Sequence, residues 1–515
     1  MRTQRMSKRL LTLAMSVLTL GALTTSVAEA GESPVVRTDS GPVRGVLTSE
    51  YRSFQGIPFA APPVGELRWA PPQRPRPWTA VRDASKPGPR CAQGEGIGSP
   101  SSVDEDCLYL NVISPAKPTP RPRPVLVWVH GGGFTSGAGS DYDFERLALG
   151  GDVVVVTVNY RLGVFGFFGH PGLGRDSGVF GLQDQQAALR WVQRNARAFG
   201  GDPRNVTLFG ESAGGMSTCA QLTSPSAAGL FSRAIIQSGP CTIDWPANGI
   251  FPGAPEGKLF QRRSDVEAFG DAEGQKLGCA DVECLRRLPV DALLPLPFNA
   301  PAFDTRLLPT DPAEAFRAGR FAKVPVMTGT TRDEGRLFAA FFPDQPITEA
   351  RYQQLLRDAF GDKASVVAAK YPSAAHGSPG NAFADVMTDR VWACSEVEAQ
   401  RHLAARTRTF AYEFADRGAP SLIPFPPGID PGASHGSELA YLSELGGSPA
   451  KLTPAQQKLA ALMIQYWTRF ARTGDPNGEA LPKWRPAPKV QSLAPDRIGP
   501  VDYAAEHNCG FWAKL

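Results

Sequence analysis

The sequence predicts a doubly wound, mainly parallel α/β sheet with helical excursions over one edge, and three observations carry that prediction. First, the short runs "PVLVWV", "DVVVVTV", "NVTLF", "RAIIQ", "VPVMTG" and "RTFAYEF" are continuously apolar or β-branched, the pattern of strands covered on both faces. Second, "GLQDQQAALRWVQRNARAF" and "TPAQQKLAALMIQYWTRFART" place apolar residues at helical spacing. Third, in "NVTLFGESAGG" an apolar run breaks on Gly210 and sets Ser212 between two glycines before a stretch able to begin a helix. That is a strand, a sharp turn and a helix in immediate succession.

The chain has 515 residues, 20% charged and 42% hydrophobic, values that suit a folded globular protein and not a disordered one. Its first residues are a basic start, "MRTQRMSKRL", then an apolar stretch, then Ala28-Glu29-Ala30. This is the layout of a secretory signal peptide cleaved after Ala30, and the alternative is a retained anchor. Residues 1–30 are therefore expected to be a targeting segment and 31–515 one α/β domain, secreted or periplasmic. No later run is long and apolar enough to span a bilayer, so no stable membrane anchor is expected. Arg2, Arg5, Lys8, Arg9 and Glu29 account for most of the formal charge of +4, and the scattered remainder gives nucleic acid no basic patch to bind.

Near the mature start, "VVRTDSGPVRGVLT" reads as a hairpin turning at Ser40-Gly41, expected to add antiparallel strands at one edge of the sheet. "APPQRPRPW" and "SPAKPTPRPRP" are short enough to be surface loops and not linkers between domains. Residues from about 242 to 320 and from 335 to 405 are poor in strand signal and rich in Pro, Ala and charge, and they supply the helical excursions.

All eight cysteines lie beyond residue 30, and an oxidising compartment allows them to pair. Spacing leaves the connectivity open. Cys91 and Cys107, and Cys279 and Cys284, are close enough for local loops; Cys219 and Cys241 flank one segment; Cys394 with Cys509 would tie down the C-terminus. No C-x-x-C and no histidine cluster points to a metal.

The pattern G-x-S-x-G occurs twice, around Ser212 and as "GASHG", Gly432 to Gly436. Only Ser212 follows a strand and precedes a helix, the context of a nucleophile elbow, where flanking glycines avoid a clash between strand and helix. Ser434 follows the Pro- and Gly-rich loop "IPFPPGIDPGA" and reads as a chance match. A nucleophile also needs donors for an oxyanion, and "VWVHGGGFTSG" offers them directly after a strand. The expected donors are the N–H groups of Gly132, Gly133 and Ala213, each worth about 3 to 4 kcal/mol in the transition state.

Together "FQGIPFAAPPVGELRW", "EDCLYLNV", "HGGGF", "NYRLGVFGF", "GLQDQQAALRWV", "FGGDP", "FGESAGG", "FSRAIIQSG", "TRDEG" and "GASHGSELAY" resemble, in order and over essentially the whole mature length, the type B carboxylesterases. This is the esterase/cholinesterase family of the α/β-hydrolase fold. On that fold the chain order is Ser, acid, His, which leaves His376, His402, His435 and His507 as bases. His402 sits in a charged helical stretch and His507 in the C-terminal tail, each read as surface or structural; His435 lies on a loop after "RTFAYEF". The loop after "VPVMTG" offers both Asp333 and Glu334, and the residues alone do not choose between them. The resemblance assigns the acid to Glu334 and leaves Asp333 a structural hydrogen-bonding group. It also implies that Glu211 sits near the site and tunes its electrostatics, the alternative being a solvated or ion-paired carboxylate.

The resemblance further implies the bridges Cys91–Cys107, Cys279–Cys284 and Cys394–Cys509; Cys219–Cys241 is added on proximity in the fold, with two free buried thiols as the alternative. It implies hydrolysis of small-molecule esters without metal or organic cofactor. The loop "CAQGEGIGSPSSVDEDC" has no tryptophan, whereas cholinesterases place a choline-binding tryptophan there, so a cholinesterase is not expected. Trp245, Phe303, Phe338, Phe341 and Phe342 are candidates for a substrate pocket or for plain packing. The readings are a broad-range carboxylesterase, a narrower hydrolase of the same family, and a non-catalytic binding module, against which the intact Ser212, Glu334 and His435 argue. The oligomeric state is not legible.

Overall fold

The computed structural model describes residues 34–515 except 298, 299 and 448; the expected signal peptide, 1–30, lies outside the described residues. The frame is an 11-stranded sheet. In chain order its strands are β1 (Val46–Leu47), β2 (Tyr51–Pro58), β3 (Tyr109–Pro115), β4 (Arg123–Val129), β5 (Val154–Val158), β6 (Gly201–Glu211), β7 (Arg233–Gln237), β8 (Val326–Thr331), β9 (Thr409–Phe414), β10 (Val490–Leu493) and β11 (Ile498–Val501). Across the sheet they lie in the order β11-β10-β9-β8-β7-β6-β4-β5-β3-β2-β1. The six apolar runs read as strands are β4 to β9, side by side at the centre. From β10 to β5 every neighbouring pair is parallel, and the pairs outside that block are antiparallel.

Alternate residues of the central strands serve two different cores, which is why their sequences carry no polar face. Val125, Val127 and Val129 of β4 and Leu208 of β6 pack on one side with α1 (Phe180–Asn195) and α2 (Ala213–Thr223), through Leu189, Trp191, Val192, Cys219 and Ala220. Leu126, Trp128 and Phe209 point the other way, into a core shared with a long helix, Pro454–Thr473, through Leu459, Met463, Trp467 and Phe470. Each such fully buried aliphatic or aromatic side chain contributes about 1.5 to 3 kcal/mol of transfer free energy. The long helix opens with a capping box, Thr453 with Gln456, has Pro454 in its first turn, and stops at Gly474 in the left-handed conformation.

The expected hairpin is present but sits elsewhere. Val35–Arg37 pairs antiparallel with Pro42–Arg44, yet the two belong to a separate 3-stranded sheet completed by Arg82–Asp83. Only Val46–Leu47, beyond Gly45, joins the main sheet. A Cβ on Gly45 would lie 2.3 Å from the Ser53 carbonyl oxygen, so glycine lets the chain bend there and divide its pairing between two sheets.

Between β7 and β9 the chain makes two largely helical excursions. The second includes α3 (Gly335–Ala339) and α4 (Pro379–Met387), the latter running into a π-helical turn, Thr388–Ala393. The cysteines form Cys91–Cys107, Cys219–Cys241, Cys279–Cys284 and Cys394–Cys509. Because β4, β6, β8 and β9 are parallel, their C-terminal ends open on one edge, where ligands bind in open α/β sheets.

Candidate active site

β6 ends at Glu211, and α2 begins at Ala213. Ser212 between them has φ 54° and ψ −124°, a conformation that a non-glycine residue holds only under constraint, at a cost of about 1 to 3 kcal/mol. The constraint is the close approach of helix to sheet. A Cβ on Gly214 would lie 1.9 Å from the Val129 carbonyl oxygen, and one on Gly210 would lie 2.5 Å from Gly214. The Ser212 N–H donates to the Gln237 carbonyl at 2.9 Å, and its own carbonyl accepts from Met216 N–H at 2.9 Å.

The glycine loop after β4 abuts this turn: a Cβ on Gly131 would stand 3.2 Å from the Ser212 Cβ. Gly132 and Gly133 have φ +98° and +62°, where side chains are strained, and their N–H groups make no hydrogen bond among the described residues. Ala213 is the first residue of α2, so its N–H has no partner within the helix. The loop is fixed from behind. His130 Nδ1 donates to the Gly131 carbonyl at 2.8 Å, and burial pushes the ring down to about 4, keeping it neutral. Gln93, just past Cys91, accepts from Gly137 N–H at 2.7 Å and donates to its carbonyl at 3.0 Å.

Glu334 and His435 meet from the loops after β8 and β9. His435 Nδ1 donates to Glu334 Oε2 at 2.5 Å, and Glu334 Oε1 accepts from Thr331 N–H at 2.8 Å, which fixes both tautomer and ring. Glu334, the acid implied by family likeness, is therefore the one on the imidazole; Asp333 instead takes a bidentate hydrogen bond from Arg417 at 2.9 and 2.6 Å. On its other side His435 Nε2 lies 3.2 Å from Glu211 Oε1, but neither atom makes a hydrogen bond among the described residues. The structure thus brings Glu334, His435 and Glu211 together, with Ser212 covalently next to Glu211. It shows no hydrogen bond from Ser212 to the imidazole; such bonds are often long before substrate is bound.

Burial would push the His435 imidazolium down, but Glu334, Glu211 and Glu438 together outweigh it and raise it to about 9. Burial raises Glu211 to about 8 against the pull of His435, with Glu438 and Glu334 adding to the rise. Burial likewise raises Glu438 to about 7. One imidazole among buried carboxyls thus shares its proton with them, and the group titrates as a unit.

Several of these neighbours escape sequence reasoning. Glu438, three residues after His435, accepts from Gln237 Nε2 at 3.2 Å, and Gln237 in turn accepts from Trp467 Nε1 at 3.0 Å. Trp392, in the π-helical turn, packs on the His435 ring at 4.7 Å between centroids, and Phe338 does so at 5.0 Å. Of the other pocket candidates, Phe341 faces Phe251, Phe342 packs on Phe383, Phe303 lies under Arg262, and Trp245 donates to the Pro255 carbonyl. Ser434 is buried, with no strained turn and no helix directly after it. No group of three His, Cys, Asp or Glu residues suited to a metal occurs among the described residues.

Residues 32–512 match the carboxylesterase family. The chain is 36% identical to the fumonisin B1 esterase of Sphingopyxis macrogoltabida, over 90% of this chain and 87% of that one. It is 36% identical to the para-nitrobenzyl esterase of Bacillus subtilis, over 87% and 91%, and 35% identical to a cocaine esterase of Oryctolagus cuniculus, over 88% and 90%. Agreement of that extent, from residue 32 to residue 512, settles the family: the chain belongs to the carboxylesterases, and it is a carboxylic ester hydrolase on the α/β-hydrolase fold.

Proposed function

We propose that the protein is a secreted serine carboxylesterase working through a Ser212–His435–Glu334 triad and an acyl-enzyme. The observation that carries this reading is the His435 ring: Nδ1 is held by Glu334 at 2.5 Å, while Nε2 has no hydrogen bond among the described residues and lies 3.2 Å from Oε1 of Glu211, the residue before Ser212. In the first half-reaction Ser212 Oγ attacks the ester carbonyl carbon as its proton passes to His435 Nε2. The carbonyl oxygen takes the negative charge against the N–H groups of Gly132, Gly133 and Ala213, and Glu334 stabilises the imidazolium. The C–O bond to the alcohol then breaks, His435 returns the proton to the departing oxygen, and water repeats the cycle on the acyl-enzyme. None of these steps calls for a metal or organic cofactor.

Export is supported by the basic, apolar, A-x-A order of residues 1–30 and by four disulfides, which persist in oxidising compartments. No helix among the described residues is long and apolar enough to cross a membrane. Residues 31–515 act as one catalytic domain on small-molecule esters. The relatives' names refer to esters of fumonisin B1, para-nitrobenzyl groups and cocaine, and the tryptophan-free Cys91–Cys107 loop argues against choline esters.

The test is hydrolysis of p-nitrophenyl esters of graded chain length by the mature chain, beside folded Ser212→Ala and His435→Ala. Turnover by the wild type with a loss of about 10⁴-fold or more in both variants is expected. Activity surviving Ser212→Ala overturns the nucleophile, and a wild type inert on every ester overturns the enzyme reading.

A further inference from the structure

The second G-x-S-x-G, Gly432 to Gly436, has no elbow around it, yet both of its glycines stand against carboxylates of the site. Gly432 has φ +54°, and a Cβ there would lie 2.6 Å from Asp333 Oδ2; Gly436 has φ +77°, and a Cβ there would lie 3.4 Å from Glu211 Oε1. Between Gly432 and His435 the backbone is clamped reciprocally. The Ala433 N–H donates to Asp333 Oδ2 at 2.9 Å, and the Asp333 N–H donates to the Ala433 carbonyl at 2.9 Å. Asp333 is 2% exposed and is steadied by Arg417 Nε and Nη2, at 2.9 and 2.6 Å.

We propose that Asp333 is a positioning residue for the base: with Arg417 it clamps the His435 loop to the acid loop, so that the imidazole meets Glu334 already in place. This rests on the reading of His435 as the base. The acid loop then holds the base twice, through the Glu334 side chain on the imidazole and through the Asp333 carboxylate and N–H on the Ala433 backbone. Both holds originate in adjacent residues after β8, so small movements of that loop carry base and acid together. Gly432 is the condition for it, since any side chain there would lift Ala433 off the carboxylate. Burial alone would raise the Asp333 carboxyl, but Arg417 and the Ala433 N–H, with Arg336 nearby, outweigh it and hold the group below its ordinary value. It therefore stays an acceptor at the pH of catalysis.

The test compares Asp333→Ala, Asp333→Asn and Gly432→Ala on p-nitrophenyl butyrate, with kcat expressed per active site counted from the pre-steady-state burst. Asp333→Ala is expected to lower kcat by about 10- to 100-fold with KM within about twofold, since displacements of about 1 Å carry that penalty. The acid limb of its pH profile should move to lower pH, because a looser Glu334 contact stabilises the imidazolium less. Glu211 and Glu438, which face the same ring, remain in every variant. Asp333→Asn, which keeps an acceptor for Ala433 N–H, should stay within a few-fold of wild type, and Gly432→Ala should behave like Asp333→Ala. If Asp333→Ala does not fold, Gly432→Ala decides alone. Wild-type kcat per site and an unmoved acid limb in the deciding variant overturn the clamp, as does a loss in Asp333→Asn equal to that in Asp333→Ala. Ser212→Ala in the same assay keeps the two readings apart: an active Ser212→Ala sinks the triad, whereas an inactive one beside a fully active Asp333→Ala sinks only the clamp.

Discussion

Two histidines of this chain lie between two carboxylates, and the proposed function gives them opposite work. His507 Nδ1 meets Asp389 at 2.6 Å and its Nε2 meets Glu413 at 2.8 Å, both as hydrogen bonds. His435 Nδ1 meets Glu334 at 2.5 Å, but its Nε2, 3.2 Å from Glu211, makes no hydrogen bond among the described residues. Burial would lower both rings, yet their carboxylates raise each to about 9. Charge environment therefore does not set the proposed base apart from His507; an uncommitted nitrogen does. His507 is locked as a cation that joins the C-terminal segment to β9 and the π-helical turn, next to Cys394–Cys509 and the Arg332–Glu413 and Arg332–Glu506 pairs. On the proposed reading His435, once it has given up its proton, offers its uncommitted nitrogen to the serine.

The comparison breaks most decisively if the two histidines respond alike to replacement. His435→Gln should lose about 10⁴-fold or more in kcat/KM with little change in melting temperature. His507→Gln should keep kcat/KM within a few-fold and lose stability on the order of 3 kcal/mol, read from denaturant unfolding, because two buried carboxylates are left with less positive charge between them. A His507→Gln enzyme that is stable but inactive would contradict the division of roles.

The pH dependence of that destabilisation sharpens the point. The folded His507 holds its proton up to about 9, against an ordinary value of 6.5. Its contribution is thus complete below about pH 6.5 and falls as pH rises through the window to 9, where the folded ring also deprotonates. The stability gap between wild type and His507→Gln should be widest near pH 6 and close by about pH 9.5; a gap independent of pH would show that the ring acts through packing alone.

A smaller effect separates Glu211 from Glu438, both of which act on His435. Glu211→Gln removes a negative neighbour of His435, so the imidazolium is less favoured and the acid limb of kcat/KM should move down by about one pH unit, measured on p-nitrophenyl acetate. Glu438→Gln, which acts on the same ring from beyond the first contact, should move it in the same direction by less. A limb that stays in place in both variants would mean that Glu334 alone sets the base.

Much of this was legible in the sequence, for identifiable reasons. The six central strands announce themselves because both faces are buried, so β-branched runs such as "DVVVVTV" have no other reading. Ser212 stands out because strand, turn and helix are contiguous. The hairpin at Ser40-Gly41 is legible as a hairpin, but which sheet it joins depends on the bend at Gly45 and on Arg82–Asp83, which pairs from about 40 residues further on. His507 reads as a tail residue because its partners Asp389 and Glu413 lie 118 and 94 residues away. The choice between Asp333 and Glu334 is closed to spacing because adjacent side chains leave a loop in different directions. The π-helical turn that seats Trp392 against His435 has no sequence signature at all.

The most direct test is covalent. Treating the wild type with diethyl p-nitrophenyl phosphate, which phosphorylates an activated serine and releases p-nitrophenolate, should give one diethylphosphoryl group per chain. Peptide mass spectrometry should place it on Ser212, with labelling abolished in Ser212→Ala and slowed by orders of magnitude in His435→Gln but not in His507→Gln. A label on Ser434, or labelling at the wild-type rate without His435, would contradict the account.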